Sequence, residues 1–274
     1  MIPYSLENIC ELFGLKRSNV MFMDSFYTLF RALSDLWRIG RIVLPYPTTL
    51  GLYKLVNDLS YDVGFISLKE EESFRLCVGE VGHLIEENDL ILIQNPLPPG
   101  GFYLDRDRLK ALIRLVASKD SYILIDETFV DVADDVSYEE EFLEFKNVLV
   151  VRFPPVIKRI LDYPCVLIGN GEVIDVLFKK FVFKFENDVR QNLEFLFDGV
   201  YDLKNKRTIL ANERRKVTLE LFKLGFKVFE SKSNYILIKY NKDLGALADR
   251  LESKGFDIDR LYDFDFCNFL VLYV

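Results

Sequence analysis

The amino-acid sequence predicts an α/β protein with a large domain built on a mostly parallel sheet and a small C-terminal α/β domain. Six short apolar runs alternate with longer amphipathic segments through the first two thirds of the chain. The runs are too short for helices and lack polar alternation, which is typical of strands that are covered on both faces. We assign these strands to residues 41–44, 63–66, 90–93, 122–125, 148–151 and 165–168.

The segments between the runs have the residue spacing of helices. Within residues 26–37, Leu29, Leu33 and Leu36 share one face, and residues 104–118 carry a similar apolar stripe. A regular alternation of strands and helices predicts parallel strands that are joined by right-handed crossovers.

The pattern changes in the last third of the chain. The expected elements are helix 188–197, a polar segment at 204–207, helix 208–224, strand 234–240, helix 244–253 and strand 269–274. Gly225 and Gly255 follow two of these helices, at the position where a left-handed residue commonly ends a helix. We therefore place a large domain at residues 1–198 and a small domain at residues 199–274.

Composition excludes several classes of function. The chain has 274 residues, a formal net charge of −8 and 28% charged residues, which is typical of a soluble globular protein. The negative charge argues against a nucleic-acid partner, because phosphate binding needs a basic surface. No apolar run approaches the roughly 18 residues of a membrane span, and the first residues lack the basic head and apolar stretch of a secretory leader. We expect a cytoplasmic protein that has no membrane or nucleic-acid partner.

The cysteines and the histidine do not predict a metal site. Cysteines occur at positions 10, 77, 165 and 267, none of them paired at metal-ligand spacing, and His83 is the single histidine. We interpret the cysteines as small core hydrophobes and His83 as a solvated surface residue. We interpret the basic cluster at residues 214–216 as the solvated face of a helix.

Two motifs carry the functional signal of the chain. Residues 95–101 read Asn-Pro-Leu-Pro-Pro-Gly-Gly, and residues 123–129 read Ile-Leu-Ile-Asp-Glu-Thr-Phe. The pair resembles the centre of the class I/II, fold type I, pyridoxal-phosphate-dependent aminotransferases, where an Asn-Pro-rich turn precedes a strand that ends in Asp-Glu-aromatic. The resemblance to the histidinol-phosphate aminotransferase and threonine-phosphate decarboxylase branch extends, in the correct order, over segments 45–53, 147–152, 168–174, 213–228 and 233–238.

The resemblance implies a pyridoxal-phosphate cofactor and residues that contact it. An acid must keep the pyridine nitrogen protonated so that the ring can accept electrons, and Asp126 takes that position. The resemblance places further contacts on Asn95 of the turn, on Phe129 after the Asp-Glu pair and on Ser25 of the phosphate-binding turn. It also implies a homodimer, whose active site is built across two subunits, and a small amino-acid-like ligand.

The sequence departs from the family pattern at most of the other contact positions. Pro98 replaces an asparagine beside the ring oxygen, Thr49 replaces the stacking tyrosine, and Phe129 lacks a hydroxyl group. The remaining departures are Asp24 in the phosphate-binding turn, Pro155 or Val156 at the lysine position, Tyr163 at the phosphate-binding arginine and Leu270 at the carboxylate-binding arginine. Lys158, a few residues past the expected position, is the candidate to bond the cofactor.

These residues leave two functions open. In the first, the chain is a pseudoenzyme that has lost cofactor chemistry and acts by binding or assembly. In the second, it is a working pyridoxal-phosphate aminotransferase or decarboxylase, which uses Lys158 and Asp126 on a small amino acid or its phosphate ester. The fold cannot decide between them, because function resides in the site.

Overall fold

A seven-stranded sheet is the larger of two sheets in the computed structural model, which describes residues 10, 14–23, 25–130, 142–152, 165–181, 203–240, 244–260, 266 and 268–273. Its strands are β1 (Val20–Met23), β2 (Arg41–Tyr46), β3 (Asp62–Ser67), β4 (Asp89–Gln94), β5 (Tyr122–Asp126), β6 (Val148–Arg152) and β7 (Cys165–Gly169). The order is β1-β7-β6-β5-β4-β2-β3, and within this sheet β7 alone runs in the direction opposite to the other six strands. The mostly parallel sheet and its six predicted strands are confirmed, whereas β1 was not predicted.

Helices cover this sheet. Those described are α1 (Phe26–Leu36), α2 (Leu50–Asp58), α3 (Val78–Leu84), α4 (Arg106–Ala117) and α5 (Gly171–Phe181). The two helices predicted in this part of the chain correspond to α1 and α4. Ser25 precedes α1 and accepts a hydrogen bond from the Thr28 N–H at 3.2 Å, and Asp105 precedes α4 and accepts one from the Arg108 N–H at 2.9 Å. Such caps satisfy N–H groups that the first turn of a helix leaves unpaired.

Separate hydrophobic clusters cover the two faces of the sheet. Along β4, Leu90 and Leu92 belong to the cluster that contains residues of α1, α2 and α5, while Ile91 and Ile93 belong to the cluster that contains residues of α3 and α4. All four side chains are fully buried. Burial on both faces explains why the predicted strands show no polar alternation.

The second sheet has four antiparallel strands in the order β10-β11-β9-β8. They are β8 (Lys227–Val228), β9 (Tyr235–Lys239), β10 (Asp257–Arg260) and β11 (Phe269–Tyr273), accompanied by α6 (Leu203–Lys223) and α7 (Leu244–Ser253). The small α/β unit is confirmed, although β8 and β10 were not predicted. Helix α6 begins at Leu203, so that the polar segment at 204–207 is helical and not a loop. The predicted helix 188–197 and the predicted domain boundary at residue 198 lie outside the described residues.

Glycines end both helices of this unit, as predicted. Gly225 and Gly255 follow α6 and α7 with φ angles of +84° and +85°. These angles lie in the left-handed region, which glycine adopts without a steric penalty.

The predictions of buried cysteines and an exposed histidine are confirmed in part. Cys10 and Cys165 are buried, as expected for small core hydrophobes, but Cys77 is exposed and the core prediction for it was wrong. His83 is exposed, as expected. Cys267 lies outside the described residues. No helix in the described part of the chain is long and apolar enough to cross a membrane.

Arg214 corrects the interpretation of the basic cluster. Its side chain is buried, and Nη1 donates a hydrogen bond to the Ser233 carbonyl oxygen at 2.8 Å. The segment was expected to form a solvated face because it follows Glu213 and lies within a long helix. Charge content alone did not reveal that this position of α6 faces the loop before β9.

One face of the second sheet packs on the first. Tyr235 and Leu237 of β9 and Phe269 and Val271 of β11 belong to the same hydrophobic cluster as alternate residues of β4 and β5. The intervening residues of β9 and β11 belong to a different cluster, which contains residues of α6 and α7. The two sheets therefore share one continuous core.

Phe74 is a central contact between the sheets. It is fully buried, and its ring lies 5.6 Å from that of Phe229, 5.7 Å from Phe266 and 5.4 Å from Phe269, edge-on in each case. Ser73 and Phe74 have φ angles of 54° and 56°, and such left-handed conformations in non-glycine residues cost on the order of 1–3 kcal/mol each. The burial and aromatic packing of Phe74 offset that cost.

Glu70 adds an ionic contact between the same two parts of the molecule. Its Oε1 lies 2.7 Å from Lys227 Nζ, and its Oε2 lies 2.6 Å from Lys239 Nζ. Hydrogen bonds from these two lysines lower the pKa of Glu70 below its ordinary value. One carboxylate thereby links the turn before α3 to two strands of the second sheet.

We expect Glu70→Gln to lower the free energy of unfolding at neutral pH by about 1 kcal/mol. The folded-state pKa is lowered, so the contribution of Glu70 is present above its ordinary pKa of 4.5 and is lost as the pH falls through the folded-state value. The urea midpoints of the wild type and the variant should therefore converge in acid. Glu71→Gln, an exposed neighbour in the same turn, is the control. A constant gap between wild type and Glu70→Gln at every pH would contradict the assignment.

Candidate functional site

Three neighbouring parallel strands, β2, β4 and β5, end at one edge of the first sheet. The carboxyl ends of such strands are where open α/β sheets bind ligands. Gln94 ends β4, Asp126 ends β5, and Thr49, which follows β2, precedes α2. Thr49 Oγ1 donates to Gln94 Oε1 at 3.1 Å, and Gln94 Nε2 donates to Asp126 Oδ2 at 3.0 Å. The three strand ends are thus connected by a chain of side-chain hydrogen bonds.

Asp126 lies at the carboxyl end of its strand, and both of its carboxylate oxygens accept hydrogen bonds. Its Oδ1 accepts hydrogen bonds from the Thr128 N–H at 3.0 Å and from the Thr128 hydroxyl group. Burial raises the pKa of the Asp126 carboxyl above its ordinary value, while the hydrogen bonds from Thr128 and Gln94 oppose that rise. These partners all act as donors, an arrangement that suits the ionised carboxylate.

Asn95 is fully buried next to Asp126. Its backbone N–H donates to the Asp126 carbonyl oxygen at 2.8 Å, and its Oδ1 accepts from the Leu104 N–H at 2.9 Å. Its Nδ2 has no hydrogen-bond partner among the described residues. A buried amide group without a partner costs free energy of the order of 1–3 kcal/mol, which makes this atom a candidate donor to a ligand.

The turn that begins at Asn95 is held against the second sheet. The Lys232 N–H donates to the Gly101 carbonyl oxygen at 2.9 Å. Gly101 has a φ of +73°, and a Cβ atom there would lie 2.1 Å from Ser231 Oγ. Both the backbone angle and the close approach require glycine at this position.

Tyr235 brings the second sheet to the same edge. Its hydroxyl group donates to the Pro96 carbonyl oxygen at 3.2 Å, and its ring lies 6.2 Å from that of Phe129 and 5.8 Å from that of Tyr273. Burial raises the pKa of Tyr235 well above its ordinary value, with contributions from Tyr273 and Asp126. The phenol is therefore a neutral donor at physiological pH.

Glu127 and Arg152 form a buried ion pair between the ends of β5 and β6. Arg152 Nη2 lies 3.1 Å from Glu127 Oε2, and Nε of the same arginine lies 3.3 Å from it. Both side chains are buried. Arg152 is the last residue of β6, so the pair secures the end of the strand that precedes the predicted lysine segment.

The predicted site residues occupy different parts of this edge. Asp126, Asn95 and Phe129 lie together. Ser25 follows β1, three strand positions from β5, which corresponds to about 14 Å across the sheet, and its hydroxyl group caps α1. Lys158 lies outside the described residues, as do residues 24, 155, 156 and 163.

Three residues of the site were not predicted from the sequence. Gln94 and Thr128 adjoin the recognised motifs, and a polar residue at the end of an apolar strand was an available signal. Tyr235 had no such signal, because it lies over a hundred residues away from Asp126 in the sequence. In the described part of the chain, no group of three or more His, Cys, Asp or Glu side chains is arranged to hold a metal ion.

We expect Arg152→Met to destabilise the protein by about 3–5 kcal/mol, because it removes a cation that is hydrogen-bonded to the buried Glu127 carboxylate. The double variant Arg152→Met/Glu127→Leu should recover a large part of this loss, since replacing a buried pair with apolar groups can be nearly neutral. Urea unfolding of both single variants and the double variant measures the coupling. Additive losses would show that the pair makes no coupled contribution.

Comparison with known proteins gives one family and named relatives. The family model described as "Aminotransferase class I and II" matches residues 2–151, more than half of the chain. The histidinol-phosphate aminotransferase of Brachyspira hyodysenteriae is 28% identical over 221 residues, covering 77% of this chain and 60% of that protein. The histidinol-phosphate aminotransferase of Clostridium beijerinckii is 25% identical over 264 residues, covering 92% and 65%. The chain thus spans less than two thirds of the length of either relative.

A solved structure agrees with these matches. The histidinol-phosphate aminotransferase from Clostridium acetobutylicum superposes with a TM-score of 0.78 at 18% sequence identity, covering 98% of this chain and 82% of that one. At this level of identity the likeness shows the fold alone.

Proposed function

The chain belongs to the aminotransferase class I and II family, and on that premise we propose that it acts by binding or assembly through the sheet edge at Asp126, without lysine-dependent cofactor chemistry. One observation carries the proposal. The Asp126 carboxylate is already bound by the chain's own donors, Gln94 on Oδ2 and Thr128 on Oδ1. In the family pattern this carboxylate serves the pyridine nitrogen of the cofactor.

The described residues do not fit pyridoxal phosphate in the way the resemblance implies. Pro98 has no side-chain donor for the ring oxygen. Thr49 offers no aromatic face for stacking, and its hydroxyl group is engaged by Gln94. Ser25 lies at the start of a helix, and its hydroxyl group caps that helix. These features support a site whose cofactor contacts have been replaced.

The same edge has the groups to bind a small amino-acid-like ligand. Asn95 Nδ2 is a buried donor that would suit a carboxylate or phosphate oxygen of the ligand. Phe129 and Tyr235 supply apolar surface at the same edge. We therefore expect the protein to bind a ligand of this class without converting it chemically.

A second candidate function is an active pyridoxal-phosphate aminotransferase or decarboxylase acting on a small amino acid or its phosphate ester. The observation that favours it is the place of Asp126 at the carboxyl end of β5, where the resemblance puts the acid that serves the cofactor. When bound, pyridoxal phosphate supplies an electron sink for carbanion chemistry. In this case Asp126 would hold the proton on the ring nitrogen, and Lys158 would bond the aldehyde and move the substrate proton.

We expect no covalent link to pyridoxal phosphate. Purified protein is incubated with the cofactor, reduced with borohydride and weighed by intact mass spectrometry. The proposed function predicts no stoichiometric mass increase and no visible absorbance band that persists after gel filtration. A stoichiometric increase that Lys158→Ala abolishes and Lys146→Ala retains would establish the second function instead.

We further propose that the protein is a cytoplasmic homodimer. An interface inherited from the family would bury on the order of 2,000 Å² or more in total. Light scattering should give twice the chain mass of 32.1 kDa at micromolar concentrations. A monomer mass over that range would refute the dimer.

A further inference from the structure

The four most exposed large apolar side chains of the described residues lie on helix α6 or directly after it. Ile209, Leu219 and Phe222 of the helix are 59%, 52% and 71% exposed, and Leu224, which follows it, is 71% exposed. The other large apolar side chains at the described surface are exposed by 41% or less. Large apolar groups that gather in one place on a surface mark a contact with a protein or a membrane.

One outer face of α6 combines apolar and basic side chains. Its members are spaced three, four or seven residues apart, which places them on one side of a helix. The five exposed members of this basic apolar face are Arg215, Lys216, Leu219, Phe222 and Lys223. Arg214 and Leu221, also seven residues apart, are buried and mark the inner side of the helix.

Two of the three basic side chains on this face are available to an anion. Among the described residues, the side chains of Arg215 and Lys223 make no hydrogen bond or ion pair, while Lys216 Nζ lies 2.6 Å from Glu213 Oε1. Helix α6 contains seven basic residues of the 35 in the chain, but only two acidic residues of the 43. Positive charge is thus concentrated on one helix of a protein whose net charge is −8.

An anionic phospholipid surface fits this face better than a protein partner does. A stable protein interface buries about 800 Å² on each partner and is depleted in lysine, whereas residues 215–223 span only about 12 Å of a single helix. A bilayer needs no complementary shape, and it binds helices that present Phe or Leu beside Lys and Arg. Each Lys or Arg near an anionic bilayer strengthens binding about fivefold.

The net negative charge of the chain does not prevent such a contact. Salt at 0.1 M screens exposed charges that are more than about 10 Å apart, so that the bilayer responds mainly to the residues next to it. The expectation that the protein has no membrane partner rested on the lack of an apolar span, which binding at the surface does not require.

We propose that the basic apolar face of α6 binds the surface of an anionic phospholipid bilayer. Leu219 and Phe222 insert between the lipid headgroups, and the basic side chains of the face lie beside the phosphate groups. The binding is reversible, because a few apolar side chains and a few cations form the whole contact.

The contribution of charge is tested by sedimentation of the full chain with lipid vesicles. The wild type should sediment with vesicles of phosphatidylcholine and phosphatidylserine, and it should stay in solution with vesicles of phosphatidylcholine alone. Arg215→Glu/Lys223→Glu should lower the bound fraction constant at least about tenfold. Arg31→Glu/Lys54→Glu is the control, because it makes the same change in net charge at exposed residues of α1 and α2 and should leave binding unchanged. Failure of the wild type to bind, or an equal loss in both double variants, overturns the proposal.

The contribution of the apolar side chains is tested with the same vesicles. Leu219→Ser/Phe222→Ser should lower binding about tenfold or more, because neither side chain would be buried among the lipids. Val176→Ser, which changes an apolar residue of α5 that is 41% exposed, should bind like the wild type. Circular dichroism establishes that each variant is folded. Unchanged vesicle binding by Leu219→Ser/Phe222→Ser overturns the proposal, and a lower mass of that variant in light scattering would then assign the face to a contact between copies of the chain.

Discussion

The shared hydrophobic core between the two sheets is the constraint on which the site depends. Phe74, held in a left-handed conformation, inserts its ring among aromatic side chains of the second sheet. This packing determines how the inner face of β9 and β11 sits on the first sheet. As a result Tyr235 reaches the Pro96 carbonyl oxygen and lies beside Phe129, so that the second sheet forms part of the edge at Asp126.

The buried acids of the described chain have two kinds of hydrogen-bond partner. Asp89 and Glu127 form ion pairs with arginines, and these pairs tie strand ends together. Asp126 is surrounded by hydroxyl, amide and backbone donors, which stabilise its charge less completely. The three buried acids of the sheet therefore differ in the charge of their hydrogen-bond donors.

The fold constrains the choice of amino acids less strictly than the site does. A strand of the core needs an apolar side chain of suitable volume, and many substitutions satisfy that requirement. A cofactor contact needs one particular atom at one particular position. The fold can therefore persist at 18% identity to a solved structure.

The sequence by itself determined the alternation of strands and helices, the turn at Asn95, the strand end at Asp126 and the glycines that end two helices. These features depend on the hydrophobicity and backbone preferences of residues that are close together in the sequence. Only the tertiary structure revealed edge strands β1, β8 and β10, the burial of Arg214 and the place of Tyr235. Each of these depends on contacts between segments far apart in the chain, whose geometry is decided when the two sheets pack together and bury their apolar faces.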